Sequence, residues 1–412
     1  MKKTKFDIQE FLKEFRTYLL RKYTKKWKRT YIPFDLLNEF SEYKICISER
    51  TDGKTYIFLE MILYLFIKYG HSGVIIRRWE TDIKGETGKK LIKNLIGQNE
   101  IVQERTNGKY NNAVEEISNG RYNSIIYQSR SYYLVRNYVD ENGKQQREVN
   151  TEPFLDALAL SQEEHNKGGG YENYKIILFD EFIARDSYMI DEFVSFMNTL
   201  STIIRRRTDV VVFMCGNTIN RYCPYFDEMG LKNVKNQKFG TIDTYIAKLE
   251  DKETHELLTC NIQIELVDYV TKEHKKSNKY FIFNNPKLQM ITNGKWEMYI
   301  YPRKPEPFVP KDVVFKYFII FDDETFMCEI VHTKTNDFTF IHPHTKKIDI
   351  KNDTLIFDLN APISPHYRRK INKPYDDLGK AIANYYVRDK ICYSSNAVGD
   401  TIHNYLECCI SQ

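Results

Sequence analysis

The segment Ser48-Glu49-Arg50-Thr51-Asp52-Gly53-Lys54-Thr55 carries the residue types of a loop that binds nucleotide phosphates. In such a loop, backbone N–H groups and the positive end of an opening helix surround the phosphate oxygens. A lysine, here Lys54, reaches the β and γ oxygens, and a hydroxyl, here Thr55, joins the Mg²⁺ shell. Ser48 stands where the first glycine is usual, so the motif is a variant. A Gly-Lys-Thr alone also occurs in ordinary loops. Its setting argues for the phosphate loop: an apolar run at 43–47 precedes it and a helical pattern at 54–69 follows. A second glycine-lysine segment, Gly85 to Lys90, lacks the hydroxyl after its lysine and reads as a turn into a basic helix.

Two further strand ends supply matching chemistry. The apolar run 175–179 ends in Asp180-Glu181. Asp180 is expected in the Mg²⁺ shell with Thr55, and Glu181 is expected to polarise the water that attacks the γ-phosphate. The run 210–214 leads into Cys215-Gly216-Asn217-Thr218, where Asn217, or next to it Thr218, can orient that water or sense the γ-phosphate. Alone, each is also an ordinary strand end: solvated acids, or an Asn capping a turn. Together they imply ATP hydrolysis, with ATP and Mg²⁺ as cofactors.

Charge on the transferring phosphoryl group calls for a guanidinium besides the lysine. Arg50 lies within the loop, and Arg77 and Arg78 end the strand 73–78. Arg205, Arg206 and Arg207 follow the helix after Asp180-Glu181. That cluster is poorly placed for its own site and suits a neighbour's site in a ring, or else is a solvated helix end.

The elements that must position these groups alternate between apolar strands and helices from 43 to 215, an α/β unit with a mostly parallel sheet. The spacing predicts helices over 5–20, 54–69, much of 87–118, 153–164 and 187–203, β-rich runs within 120–150, a flexible break at Gly168–Gly170, and a later strand at 262–267. The basic run Arg21 to Arg29, with Tyr23 and Trp27 interleaved, reads either as a solvated helix end or as a contact to a phosphate backbone. We expect a domain at 1–275, a linker at 276–310 and a smaller α+β domain at 311–412.

Composition narrows the classes. With 412 residues and 14% aromatics the chain can bury real cores, which excludes a disordered linker protein. No apolar run approaches the roughly 20 residues of a membrane span, and the first 20 residues have no apolar leader core. Eight scattered cysteines without a CxxC pair suit a reducing cytoplasm. A net charge of +5 neither demands nor excludes a nucleic-acid partner.

The variant loop with its internal arginine, the Asp-Glu strand, the Gly-Asn strand and Ala157-Leu158-Ala159-Leu160-Ser161-Gln162 resemble the large terminase ATPases that package DNA into phage heads. In layout the chain is similar to the branch found in small terminal-protein phages. The resemblance implies an ASCE-type P-loop ATPase, with nucleotide bound between the subunits of a ring, commonly a pentamer, on the portal of a prohead. It implies double-stranded DNA as the translocated partner, a packaging RNA in some members, and action in the host cytoplasm while docked on the prohead. It also implies a trans-acting arginine at Arg205, Arg206 or Arg207. The C-terminal domain would have an RNase H-like fold, with Asp322 and Asp323 at a strand end and Asp358 available for a second metal site. Packaging of unit-length genomes needs no cutting, so the nuclease fold is expected to be vestigial. Cations in the 120–150 insertion, such as Arg130, Arg136, Lys144 and Arg147, or Lys89 and Lys90, would meet DNA phosphates, or else belong to solvated faces. Three other readings stand beside it: a metal-dependent nuclease with a regulatory ATPase half, a helicase-like remodelling ATPase, and a structural assembly protein with dead ATPase motifs, which the presence of Lys54, Thr55, Asp180 and Glu181 disfavours.

Overall fold

The computed structural model describes residues 6–23, 31–49, 52–166, 170–184, 188–250, 256–268, 299–350 and 354–411. Two compact units emerge, one covering Met1–Ala184, Asp191–Thr218 and Pro224–Ser277, the other Arg185–Ile190, Ile219–Cys223 and Asn278–Gln412. Of the expected linker, residues 276–298 lie outside the described residues. Residues 299–310 belong to the second unit, where the Tyr301 ring covers Gly399 so closely that an added Cβ would lie 2.2 Å from it.

The sheet of the first unit contains β1 Tyr43–Ser48, β2 Ser72–Arg77, β3 Ser124–Gln128, β4 Ser131–Val139, β5 Gln145–Val149, β6 Leu155–Ala159, β7 Tyr174–Asp180, β8 Val211–Asn217, β9 Thr241–Glu250 and β10 Leu257–Leu266. Six of them run parallel in the order β10-β1-β8-β7-β2-β6. The runs in β1, β2, β7 and β8 are apolar without alternation because both of their faces are covered. On one face Phe58 of the helix α2 (Lys54–Tyr69) meets Phe213, and on the other Phe196 of α3 (Glu192–Ile204) meets Phe179. Apolar nearly all round, α2 is buried as that composition requires, with α1 (Ile8–Lys22) in the same core. Strands β4, β3 and β5 extend one edge antiparallel, and β9 does so at the other. β8 lies between the loop strand β1 and the acid strand β7, the added strand that defines the ASCE class.

Two expectations need correcting, and one strand carried no signal. Residues 155–159 form β6, not a helix: alanine favours helices locally, but Ala157 and Ala159 are fully buried beside β2, and burial overrides propensity. Strand β9 gave no clear signal, since its outer half is exposed. Within the basic run, Lys22 turns inward to Glu60 at 2.6 Å and Glu116 at 3.0 Å, and the Tyr23 hydroxyl donates to Glu60, so neither faces a phosphate backbone. Residues 24–29 and Gly168 and Gly169 lie outside the described residues.

The second unit has β11 Val313–Phe321, β12 Glu324–His332, β13 Asp337–Pro343, β14 Ile356–Asp358, β15 Tyr367–Arg368 and β16 Ile391–Tyr393. β11, β12 and β13 are antiparallel, β14 joins β11 in parallel, and β15 joins β14. Counted from β11 the order is 3-2-1-4-5, the RNase H-like arrangement, with β16 added beside β13. The helices α4 (Asp377–Val387) and α5 (Asn396–Ser411) place Ile382, Ile402 and Tyr405 in one core with Tyr317, Ile319 and Phe321. Asp322 and Asp323 form the tight turn between β11 and β12, both in the left-handed region at φ 60° and 58°, where Asp is tolerated better than most residues. Asp358 accepts from the Asn360 N–H at 2.9 Å. Among the described residues no three His, Cys, Asp or Glu side chains gather as metal ligands. Asp322, Asp323 and Asp358, expected as a second metal site, do not belong to such a group, and turn geometry accounts for the conformation of the paired acids.

Candidate nucleotide site

Register brings the candidate residues to one edge. Ser48 lies opposite Asn217, Cys215 opposite Asp180, and Phe179 opposite Ile76, so β1, β8, β7 and β2 end together. Ligands of open parallel sheets bind at this carboxyl edge. Gly53, at φ 81°, turns the chain from the loop into α2 in a conformation that disfavours other residues. Tyr31 braces the loop from outside: its N–H donates to the Asp52 carbonyl at 3.1 Å and its hydroxyl to Glu265 at 2.7 Å. Burial pushes Glu265 up to about 7. Ser48 and Asp52 are buried. Arg50 and Thr51 lie outside the described residues, so their expected roles are not placed.

Lys54 is 7% exposed. Its ammonium donates to Ser48 Oγ at 2.7 Å, the Glu49 carbonyl at 2.9 Å, Asn217 Oδ1 at 3.0 Å and, at 3.4 Å, the Ser48 carbonyl. All four acceptors are neutral. A buried cation among neutral oxygens favours an anion, so these residues fit a phosphate. The Thr55 hydroxyl lies 3.0 Å from both oxygens of Asp180. A hydroxyl and a carboxylate side by side are hard oxygen donors of the kind that hold Mg²⁺ while it keeps several waters.

Asp180 is buried, and burial pushes its carboxyl above the usual range against the pull of Arg77. Arg77 bridges both acids, at 2.6 Å from Asp180 and 2.7 Å from Glu181. Burial opposes its charge, yet the two carboxylates leave its pKa raised. The Glu181 side chain is 60% exposed, so it can reach solvent at the mouth of the site. Its backbone is left-handed, at φ 61°. The turn after it packs over Gly216, where a Cβ would stand 2.7 Å from Ile183 and 2.9 Å from Phe182. Thr218 is buried, and its N–H donates to the Ser48 carbonyl at 3.1 Å.

Arg205, Arg206 and Arg207 are not part of this edge. They follow α3, and Arg207 donates to the carbonyls of Ile203, Ile204, Glu172 and Tyr174 at 2.6 to 3.2 Å. Tyr174 begins β7, which puts the cluster about 20 Å from the Asp180 end of that strand. Arg207 thus ties the opposite edge together, while Arg205 and Arg206 are exposed. The sequence marks Arg77 and Arg78 only as candidates; the structure places both at this edge, and the signal was two arginines ending an apolar strand. Glu192, which pairs with Arg78, and Tyr225, which donates to Glu192, carried no signal.

A model of the family described as Podovirus DNA encapsidation protein (Gp16) matches residues 148–256, which include Asp180, Glu181 and Asn217. The resemblance is to phage DNA-packaging proteins. The DNA packaging proteins of Bacillus phages PZA and phi29 are each 23% identical over 224 residues, 54% of this chain and 56% of theirs. The chain spans about half the length of the curated relatives it matches. A solved structure of the bacteriophage Phi-29 viral genome packaging motor assembly is 17% identical, covering 92% of this chain and 98% of that one, with a TM-score of 0.49. The packaging-family match begins after the phosphate loop, so that loop rests on its own geometry.

Proposed function

We propose that this chain is a DNA-packaging ATPase, which hydrolyses ATP to drive double-stranded DNA into a viral prohead. The observation that carries the reading is the single sheet edge joining Lys54, Thr55 with Asp180, Glu181 and Asn217. Similarity to phage packaging proteins supplies the substrate and setting. Bound Mg²⁺ would neutralise phosphate charge beside Thr55 and Asp180. Lys54 would exchange its neutral acceptors for phosphate oxygens. Glu181, once released from Arg77, would take a proton from the attacking water at its carboxylate oxygen. Asn217, released from Lys54, would hold that water in line.

Arg205 and Arg206 are exposed at the edge opposite their own site, which suits a neighbour's site in a homo-oligomeric ring, with five subunits the expected number. Portal, prohead and a packaging RNA are the partners proposed with it, in the host cytoplasm. Among the described residues no helix is long and apolar enough to cross a membrane. The test is steady-state ATP hydrolysis with and without double-stranded DNA, alongside Lys54→Ala and Glu181→Gln. DNA-stimulated turnover that both substitutions reduce by about a hundredfold supports the reading. Turnover indifferent to both would refute it.

A further inference from the structure

Two adjacent arginines end β2, and they turn to different tasks. Arg77 bridges the Asp180 and Glu181 carboxylates. Arg78 is buried, and its guanidinium addresses backbone. Its Nη2 donates to the Phe182 carbonyl at 2.7 Å, and its Nη1 lies 3.3 Å from the Glu181 carbonyl. The same guanidinium grips Glu192, the first residue of α3, through Nε at 2.7 Å and Nη2 at 2.9 Å. The Tyr225 hydroxyl donates to Glu192 at 2.9 Å.

The two backbone contacts fall on consecutive peptides of the turn. Between Glu181 and Phe182, the carbonyl meets Arg78, while the N–H donates to the Cys215 carbonyl of β8 at 3.2 Å. Both ends of that peptide are therefore held, from β2 on one side and β8 on the other. Glu181 itself has φ 61°, a conformation that a residue with a Cβ keeps only when its surroundings impose it. Its side chain is 60% exposed and is held at its tip by Arg77. Once that contact is released, the backbone sets the direction in which the carboxylate leaves the sheet.

We propose that Arg78, braced by Glu192 and Tyr225, is a positioning residue that fixes the backbone of Glu181 and thereby aims its carboxylate at the reacting water. This rests on the ATPase reading. Arg78→Lys keeps the charge but not the planar fork that serves a carboxylate and two carbonyls at once.

The experiment measures kcat and KM for ATP in the full-length chain with double-stranded DNA, for wild type, Arg78→Lys and Tyr225→Phe, each also in the Glu181→Gln background. Arg78→Lys should lower kcat about tenfold or more and leave KM within about twofold, a split that a loss of folded protein does not imitate. Tyr225→Phe should move kcat the same way by a smaller factor. In the Glu181→Gln background neither should change the residual turnover by more than about twofold, because each acts through Glu181. An unchanged kcat in Arg78→Lys, or an equally large fall in the Glu181→Gln background, overturns the proposal. If Arg78→Lys does not fold, Tyr225→Phe decides by the same criteria. Wild type without turnover would remove the ATPase reading and this one with it. Wild-type turnover that survives Arg78→Lys removes this one alone.

Discussion

Arg77 stands between two carboxylates, and a metal ion arriving at Asp180 meets a guanidinium already there. Two cations at one buried carboxylate repel each other and share its charge, so metal binding and the Arg77 contact oppose each other. Removing Arg77 leaves Asp180 buried without that partner, which costs about 3 kcal/mol at neutral pH. Asp180 is already pushed above the usual carboxylate range, so the folded state takes up a proton before the unfolded chain does. Without Arg77 the Asp180 pKa rises further still, so the deficit of Arg77→Ala is full above the variant's pKa and shrinks as pH falls through it toward the wild-type value. Mg²⁺ with nucleotide should shrink it too, by replacing the lost charge. Thermal melts over pH, with and without Mg²⁺ and nucleotide, measure this; a variant that melts within about 1 °C of wild type throughout would sink it.

Among elements, the crossing of β8 with the Glu181 turn is the tightest contact at the site. Gly216→Ala puts a Cβ 2.7 Å from the Ile183 side chain and 2.9 Å from the Phe182 ring, and these side chains of the turn must shift because β8 is locked between β1 and β7. We expect a stability loss of about 1–3 kcal/mol and a larger proportional loss of turnover than of nucleotide binding. Equal losses of both would contradict it. In the second unit, Glu329 of β12 lies 3.5 Å from His342 of β13 and 2.8 Å from Lys316 of β11. His342 and Lys316 lower the Glu329 pKa to about 2, and Glu329 raises that of His342. The Glu329 contribution to stability is present above about 4.5 and lost as pH falls toward 2; the His342 contribution is present below about 6.5 and lost as pH rises through its raised pKa. Melting temperature should fall on both sides of that window, and His342→Ala should make the alkaline limb shallower, leaving the share that buried Glu265 contributes. Strand runs such as Ile176–Phe179 and Val211–Met214 were legible in the sequence because strands covered on both faces carry unbroken apolar residues. Leu155–Ala159 was misread because alanine says nothing of burial. The division of labour between Arg77 and Arg78 was not legible, since it depends on Glu192 and Tyr225, more than a hundred residues away and brought in only by packing.

At the scale of the whole molecule, the proposed ring calls for a guanidinium that reaches a neighbour's site. Arg207 holds four carbonyls of its own chain, so Arg207→Ala should lower stability, by about 1–3 kcal/mol for the acceptors left behind, rather than act on a neighbour. Arg205 caps α3 and Arg206 follows it, both exposed at the edge opposite the nucleotide site. A shared site makes a prediction that a self-contained one does not. Glu181→Gln chains have a disabled site but intact arginines; chains carrying both Arg205→Ala and Arg206→Ala have the reverse. Alone, each should hydrolyse ATP about a hundredfold more slowly than wild type. Mixed, an arginine from the first kind of chain meets an intact site on the second, and turnover should recover to a sizeable fraction of wild type with a maximum near equal proportions. A self-contained ATPase gives only the average of two poor enzymes at every mixing ratio. Titrating one variant into the other on double-stranded DNA separates the two outcomes, and a straight line between the parents would rule out a site shared through Arg205 or Arg206.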